Sequence, residues 1–227
     1  MKSACGYAEF YTHKMLSKRA FSVYKKLESA VKKSGIELPD MDNLHINYFK
    51  FKKHAQFPKE FKIIDLTAAY PTALFNLGYI NAETLKLMLS LPKKERLQVT
   101  GMLATQKVIF SFIAGIPQPV EILTNPLRPV FFAACYEVGE LLNSVYEKYN
   151  SSLFYWVDGI GVIDNSDEII NYFSEKNYPS KIEAVSNCRK TENGFIFDKD
   201  GKRKVFLFPE KKIIKCEKVI EFLNRYK

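Results

Sequence analysis

The spacing of apolar and polar positions predicts alternating strands and helices. Ala20, Val23, Tyr24, Leu27, Ala30 and Val31 fall on one face at helical spacing, while Lys18, Lys25, Lys26, Lys32 and Lys33 occupy the rest. This is an amphipathic helix over 17–33, stopped by Ser34-Gly35 with Pro39 beyond. The basic, aromatic run from His45 to Phe61 alternates as a strand does, and Phe61–Leu66 reads as a second strand. Pro71 then suits the first turn of a helix reaching Gly78. Asn81 is an N-cap for a helix over Ala82–Leu91, Pro92 breaks it, and the pattern predicts a longer helix from Lys93 to about Ala114, ending near Gly115. Pro117, Pro119 and Pro126 mark a loop. Val138, Leu141, Leu142, Val145 and Tyr149 define one face of a helix over 130–149. Leu153–Val157 and Ile160–Ile163 form a β-hairpin around Asp158-Gly159. A short helix over Ser166–Ser174, strands at Lys181–Val185, Phe195–Phe197 and Lys204–Phe208, and a C-terminal helix from about Lys215 complete the chain. This order predicts an α+β fold with helices packed on an antiparallel sheet.

Composition narrows the function classes. At 227 residues and 47% hydrophobic content, the chain can bury a sizeable core. No apolar run reaches the length of a membrane span, and the N-terminal residues lack the apolar core of a signal peptide. Cys5, Cys135, Cys188 and Cys216 are scattered, against a zinc or disulfide framework and in favour of a reducing, cytoplasmic setting without a membrane partner. The net charge of +9, from 34 basic and 25 acidic residues, favours a polyanionic partner, although solvated surface lysines would give the same sum. His13, His45 and His54 have no metal-ligand spacing, and no phosphate-binding glycine loop or nucleophile elbow is present. The aromatic, lysine-rich stretch 45–57 has the composition of a base-stacking, phosphate-binding surface or of a sheet edge.

Two aspartates carry the candidate chemistry. Asp65 lies in Asp65-Leu66-Thr67-Ala68-Ala69-Tyr70-Pro71-Thr72, where a strand meets a helix, and Asp158 lies in the hairpin Phe154-Tyr155-Trp156-Val157-Asp158-Gly159. Carboxylates fixed on neighbouring strands suit a two-metal phosphoryl-transfer site; each alone also reads as a cap or a turn residue. The first segment resembles motif A of family B DNA polymerases, Asp-x-x-Ser-Leu-Tyr-Pro-Ser. Asp65, Tyr70 and Pro71 match, Thr72 stands for the last serine, and Ala68 and Ala69 depart from the pattern. The second resembles motif C, Tyr-x-Asp-Thr-Asp-Ser. In the preferred register Asp158 is the second aspartate, Phe154 takes the tyrosine position and Trp156 replaces the first aspartate. In the other register Asp158 is the first and Ile160 replaces the second. Motif B is represented by Lys107 and Gly115, with Ser111, Phe112 and Ala114 departing from it. Gly201-Lys202-Arg203-Lys204 resembles the primer-gripping Lys-Lys-x-Tyr segment, with Val205 in place of its tyrosine.

The resemblance covers roughly residues 45–210 and implies a reduced DNA-directed DNA polymerase without a proofreading exonuclease. The chain divides accordingly into an N-terminal helical segment (1–44), a first palm segment with motif A (45–80), a fingers-like helical hairpin (81–116), a second palm segment with motif C (117–210) and a C-terminal helix (211–227). The implied fold is a polymerase-palm-like sheet with packed helices and a short fingers insertion. Asp65 and Asp158 would bind two magnesium ions, or manganese, with the carbonyl of Leu66 as a further ligand. Tyr70 would pack under the incoming sugar, Arg96 and Lys107 would meet the triphosphate, and Lys202, Arg203 and Lys204 would contact DNA. The partners implied are primer-template, deoxynucleoside triphosphates and a further chain supplying a thumb or exonuclease. So reduced a polymerase suits a virus or mobile element, acting in the host cytoplasm. The alternatives are a palm-derived, catalytically inactive nucleic-acid-binding or assembly subunit, and a primase-like enzyme.

Overall fold

A computed structural model of the chain describes residues 2–3, 6–7, 16–40, 48–52, 57–114, 116–191 and 194–207. The two-residue strands β1 (Lys2–Ser3) and β2 (Gly6–Tyr7) pair as a short ribbon. Helix α1 (Lys18–Lys33) begins at Ser17, whose hydroxyl accepts from Ala20 N, and buries Ala20, Val23, Tyr24, Leu27 and Val31 as its periodicity predicts. Next come β3 (Phe49–Phe51), β4 (Phe61–Leu66), α2 (Ala69–Asn76), α3 (Ala82–Leu89) and α4 (Lys93–Gly101). The Asn81 side chain caps α3 by accepting from Thr84 N at 2.9 Å, as expected of that residue. Strands β5 (Gln106–Ile113) and β6 (Ile116–Thr124) follow, then the long helix α5 (Arg128–Lys148), β7 (Ser152–Trp156), β8 (Gly159–Val162), α6 (Ser166–Glu175) and strands β9 (Ser180–Thr191), β10 (Gly194–Lys199) and β11 (Lys202–Leu207).

Seven strands make one antiparallel sheet in the order β11-β10-β9-β4-β8-β7-β3. Alternation along β4 assigns its two faces. Ile64 and Leu66 enter the larger core with Ile160, Val162, Tyr155 and the apolar faces of the helices. Phe61 and Ile63 point the other way, into a cluster with Phe154, Val185, Phe195 and Phe197. That second face is concave. Phe49 on one edge strand and Phe206 on the other bring their ring centroids within 6.2 Å, and Trp156 lies 4.8 Å from Phe206. The sheet therefore curls until its two ends meet through aromatic side chains, with helices packed on its outer face. Among the described residues no helix is long and apolar enough to cross a membrane.

One predicted element is replaced. The helix expected from Lys93 to Ala114 ends at Gly101; a 3-10 turn over Met102–Ala104 leads into β5, and β6 occupies the expected proline loop. Val108, Ile109, Phe110, Phe112 and Ile113 are a β-branched and aromatic run that favours a strand. Pro117 and Pro119 are tolerated in β6 because each strand of a two-stranded ribbon has an outer edge that needs no N–H donor. The region after α3 is thus one short helix and a β-ribbon rather than a helical hairpin. Gly115 and the predicted C-terminal helix lie outside the described residues, as do the three histidines, Cys5 and Cys216; Cys135 and Cys188 are free thiols.

Candidate active site

Asp65 and Asp158 meet in one cleft. The strand pairing sets this directly: Asp65 is opposite Gly159 across β4 and β8, and the Leu66 amide donates to the Asp158 carbonyl at 2.8 Å. The cleft, about 210 Å³, is bounded by the end of β4 and the first turn of α2 on one side and by Lys93, Arg96, Leu97 and Thr100 of α4 on the other; Asp65, Leu66, Tyr70, Asp158 and Lys181 all line it. The backbone at the cleft is unusual. Ala68 and Val157 have φ near +54°, and left-handed backbone is costly for a β-branched residue such as Val157. The two-residue turn of the hairpin is Val157-Asp158, with Gly159 already in β8 opposite Trp156, so the turn begins one residue before the predicted Asp-Gly pair.

Two glycines of β8 make room on the concave face. An added Cβ at Gly159 would lie 2.4 Å from Asp65 Oδ1, and one at Gly161 would lie 2.3 Å from Phe154 Cε1. The Asp65 carboxylate thus rests directly over Gly159, just as the Phe154 ring rests over Gly161. Across the sheet at this level the residues run Trp156, Gly159, Asp65, Lys181. On the far side Lys181 Nζ and Lys199 Nζ stand 3.9 Å and 3.7 Å from Asp65 Oδ2, and both ammonium groups are ion-paired with Glu183. Asp65, Glu183, Lys181 and Lys199 therefore form a four-membered charge cluster beside the cleft.

Burial raises the Asp158 carboxyl above the usual carboxylate range, opposed by the charges of Lys93 and Lys181 and by its own backbone N–H. Burial likewise raises the Tyr70 phenol, with Cys135 and Asp158 adding to the effect. The Tyr70 ring packs at a tilt against Phe131, centroids 6.0 Å apart, and lines the cleft. The native state holds the Asp158 proton more tightly than the unfolded chain does. Its contribution to stability therefore falls as pH rises from the ordinary aspartate value through the raised one, and stays lost above it. Asp158→Asn is accordingly expected to raise Tm near pH 7, with the gap closing at about pH 3, below the ordinary aspartate value. Thermal melts at both pH values test this; a gap that widens in acid would contradict it.

The remaining predicted residues separate. Arg96 lines the cleft, with Nη1 also 3.4 Å from the Leu91 carbonyl. Lys107 lies on β5, paired with Leu123; the helical spacing that related it to motif B does not form, and its side chain is outside the described set. Lys202 and Lys204 pair with Lys199 and Phe197 and so share the concave face, whereas Arg203 pairs with Asp198, to which its Nε donates at 3.3 Å. The sequence pattern does not single out Lys93, Lys181, Glu183 and Lys199 for the site. The i, i+2 alternation of Lys181 and Glu183 on a predicted strand is the available signal for two of them. Among the described residues no group of three histidine, cysteine, aspartate or glutamate side chains converges on one point. Two carboxylates facing Lys93 and Arg96 nevertheless fit magnesium, which keeps waters and takes one or two carboxylates plus substrate phosphates rather than an all-protein cage.

No protein-family model matches the sequence, and no curated protein matches it either.

Proposed function

We propose that the cleft performs metal-dependent nucleotidyl transfer, adding deoxynucleotides to a primer 3′-hydroxyl in the manner of a reduced family B-like DNA polymerase palm. The observation that carries this reading is the meeting of Asp65 and Asp158, far apart in sequence, at the end of β4 opposite Lys93 and Arg96. In the transfer, the 3′-oxygen bonds to the α-phosphorus, the bond to pyrophosphate breaks, and the hydroxyl proton passes to solvent. Asp65 and Asp158, with the Leu66 carbonyl, would hold magnesium or manganese, which when bound activates the hydroxyl and offsets charge on the phosphates. Lys93 and Arg96 orient the triphosphate from α4 and stabilise the departing pyrophosphate. Tyr70 packs under the sugar, which leaves little room for a 2′-hydroxyl. The first turn of α2 adds the positive end of a helix to the same cleft. Primer extension with magnesium or manganese, run beside Asp65→Ala and Asp158→Ala, tests the reading; incorporation that survives both changes would end it.

The exposed end of the concave face, beside Asp65 and beyond the aromatic cluster, supplies a contact for the template-primer. Lys202 and Lys204 stand exposed on it, in line with Lys199 and Asp65. The double variant Lys202→Ala/Lys204→Ala is expected to flatten the salt dependence of DNA binding by about two phosphate contacts. Arg203→Ala, whose guanidinium is held by Asp198, should leave that slope nearly unchanged. Fluorescence anisotropy across a salt series measures both, and equal effects from the two changes would contradict the assignment of faces.

A second reading is supported by Trp156. Where the resemblance would put the first motif C aspartate, an indole packs edge-on to Phe49 and Phe206. A palm-derived binding or assembly subunit would keep salt-sensitive nucleic-acid binding and give no incorporation with any primer, template or metal. Incorporation that appears only on adding another chain would instead identify a partner supplying a thumb or exonuclease.

A further inference from the structure

The outer face of α1 breaks a local rule of helix construction. Lys18 and Arg19 stand in its first turn, which holds no acidic residue, although acids stabilise the positive end of a helix and cations do not. Over Lys18–Lys33 six basic side chains accompany a single acid, Glu28. Glu28 ion-pairs with Lys25 and Lys32, and Arg19 donates to the carbonyl and hydroxyl oxygens of Ser90. Among the described residues Lys18, Lys26 and Lys33 have no such partner, and all three are exposed. Arg19, Ser22, Lys26, Ser29 and Lys33 recur every three or four residues and so form one row, made only of cations and hydroxyls. A solvated helix face gains by alternating its charges. This one accumulates like charge, which an anionic ligand offsets.

We propose that this face of α1 binds single-stranded nucleic acid and leads it to the cleft. The Arg19–Ser90 bonds hold the start of α1 against the turn between α3 and α4. Lys93, which lines the cleft, follows Ser90 in the chain by at most about 11 Å between Cα atoms. From that point α1 extends about 24 Å, room for about seven stacked nucleotides. Phe21 selects an unpaired strand over a duplex. Its ring is 49% exposed, with Lys18 one turn before it and Lys25 one turn after, the Lys25 Nζ 5.8 Å from the ring centroid. An exposed ring flanked by cations stacks on a base, and an unpaired strand offers its bases for this. A lipid surface is the poorer fit, because the apolar stripe of α1 (Ala20, Val23, Leu27 and Val31) is buried in the core and not available for insertion. The inference goes beyond the nucleotidyl-transfer reading. Binding by α1 requires neither aspartate nor metal, and only its direction, toward the cleft, rests on that reading.

The test measures binding of a labelled oligothymidine strand to the full chain by fluorescence anisotropy across a salt series. Lys18→Gln/Lys26→Gln is expected to flatten the slope of log affinity against log salt by about 1.4, the loss of two phosphate contacts on a single strand. Phe21→Ala is expected to weaken strand binding about 10-fold at every salt concentration, with the slope unchanged and binding of a blunt duplex unaffected. Lys59→Gln/Lys190→Gln removes the same charge at the end of β4 and β9 away from Asp65 and should leave the slope at its wild-type value. All five positions are exposed, and circular dichroism confirms the fold of each variant. Equal slopes in the two double variants, strand binding indifferent to Phe21→Ala, or a preference for phosphatidylserine vesicles over the strand would overturn the inference. Strand binding that responds as expected in a protein that never incorporates nucleotides would sink the nucleotidyl-transfer reading and leave this one standing. Normal incorporation with strand binding indifferent to the α1 changes would do the reverse.

Discussion

Replacing Asp65 with asparagine is expected to lower primer extension by on the order of 10³-fold or more while leaving the fold intact. A metal ion in a phosphoryl-transfer site supplies several kcal/mol of charge stabilisation, and about 4 kcal/mol corresponds to about 10³-fold in rate. Asparagine keeps the shape of the side chain over Gly159 but not the charge that faces the cleft and the lysines. Asp65 is half-buried, with its charge shared at 3.7 Å and 3.9 Å by Lys199 and Lys181. Removing that charge leaves both lysines anchored by Glu183, so the scaffold survives. Single-turnover incorporation measured beside a thermal melt separates the two effects. A variant that melts like the wild type and still extends primers at comparable rate would refute the catalytic role of Asp65.

Gly159→Ala should damage activity through the same carboxylate without touching its chemistry. The new Cβ would stand 2.4 Å from Asp65 Oδ1 and 3.5 Å from its Cγ, with the Ile64 carbonyl at 3.6 Å. The backbone contact is ordinary; the carboxylate contact is not, so the side chain of Asp65 swings aside. A misplacement on the order of 1 Å at a reacting centre costs about 10²-fold. Stability should change little, because the displaced group is the tip of a side chain bordering solvent. Gly161→Ala is the contrasting case. Its Cβ meets the buried Phe154 ring at 2.3, 2.7 and 2.9 Å, inside an aromatic cluster with no slack, and overpacking of that kind costs about 1–3 kcal/mol. Incorporation assays and denaturant melts on the two variants should therefore diverge: activity lost at 159, stability lost at 161. Equal losses of stability would show that the carboxylate is not free to move.

Much of the framework is legible in the chain. Helix α1 follows from the spacing of Ala20, Val23, Tyr24, Leu27 and Val31, α3 from Asn81, and the β7–β8 hairpin from Asp158-Gly159, which straddles the end of its Val157-Asp158 turn. These are local signals: a period, a cap and a turn residue each act within a few positions. Residues 106–124 mislead because Val108, Ile109 and Phe112 satisfy a helical period as well as a β-forming run. The choice is made by pairing with β6, a partner that the periodicity of one segment does not contain.

The sequence by itself determined the α+β class, the placement of Asp65 at a strand-to-helix junction and of Asp158 in a hairpin turn, and the basic character that points to a polyanion. Only the tertiary structure decided that the two aspartates share a cleft, that Gly159 lies beneath one of them, and that Lys181, Lys199 and Glu183 form a charge cluster at its side. It alone placed Trp156 in an aromatic cluster joining the two ends of a curled sheet. The physical reason is register. Which residues stand side by side across β7, β8, β4 and β9 depends on how separate strands align, and that alignment is fixed by burying Ile64 and Leu66 on one face and Phe61 and Ile63 on the other, a requirement met by the whole sheet and its helices together.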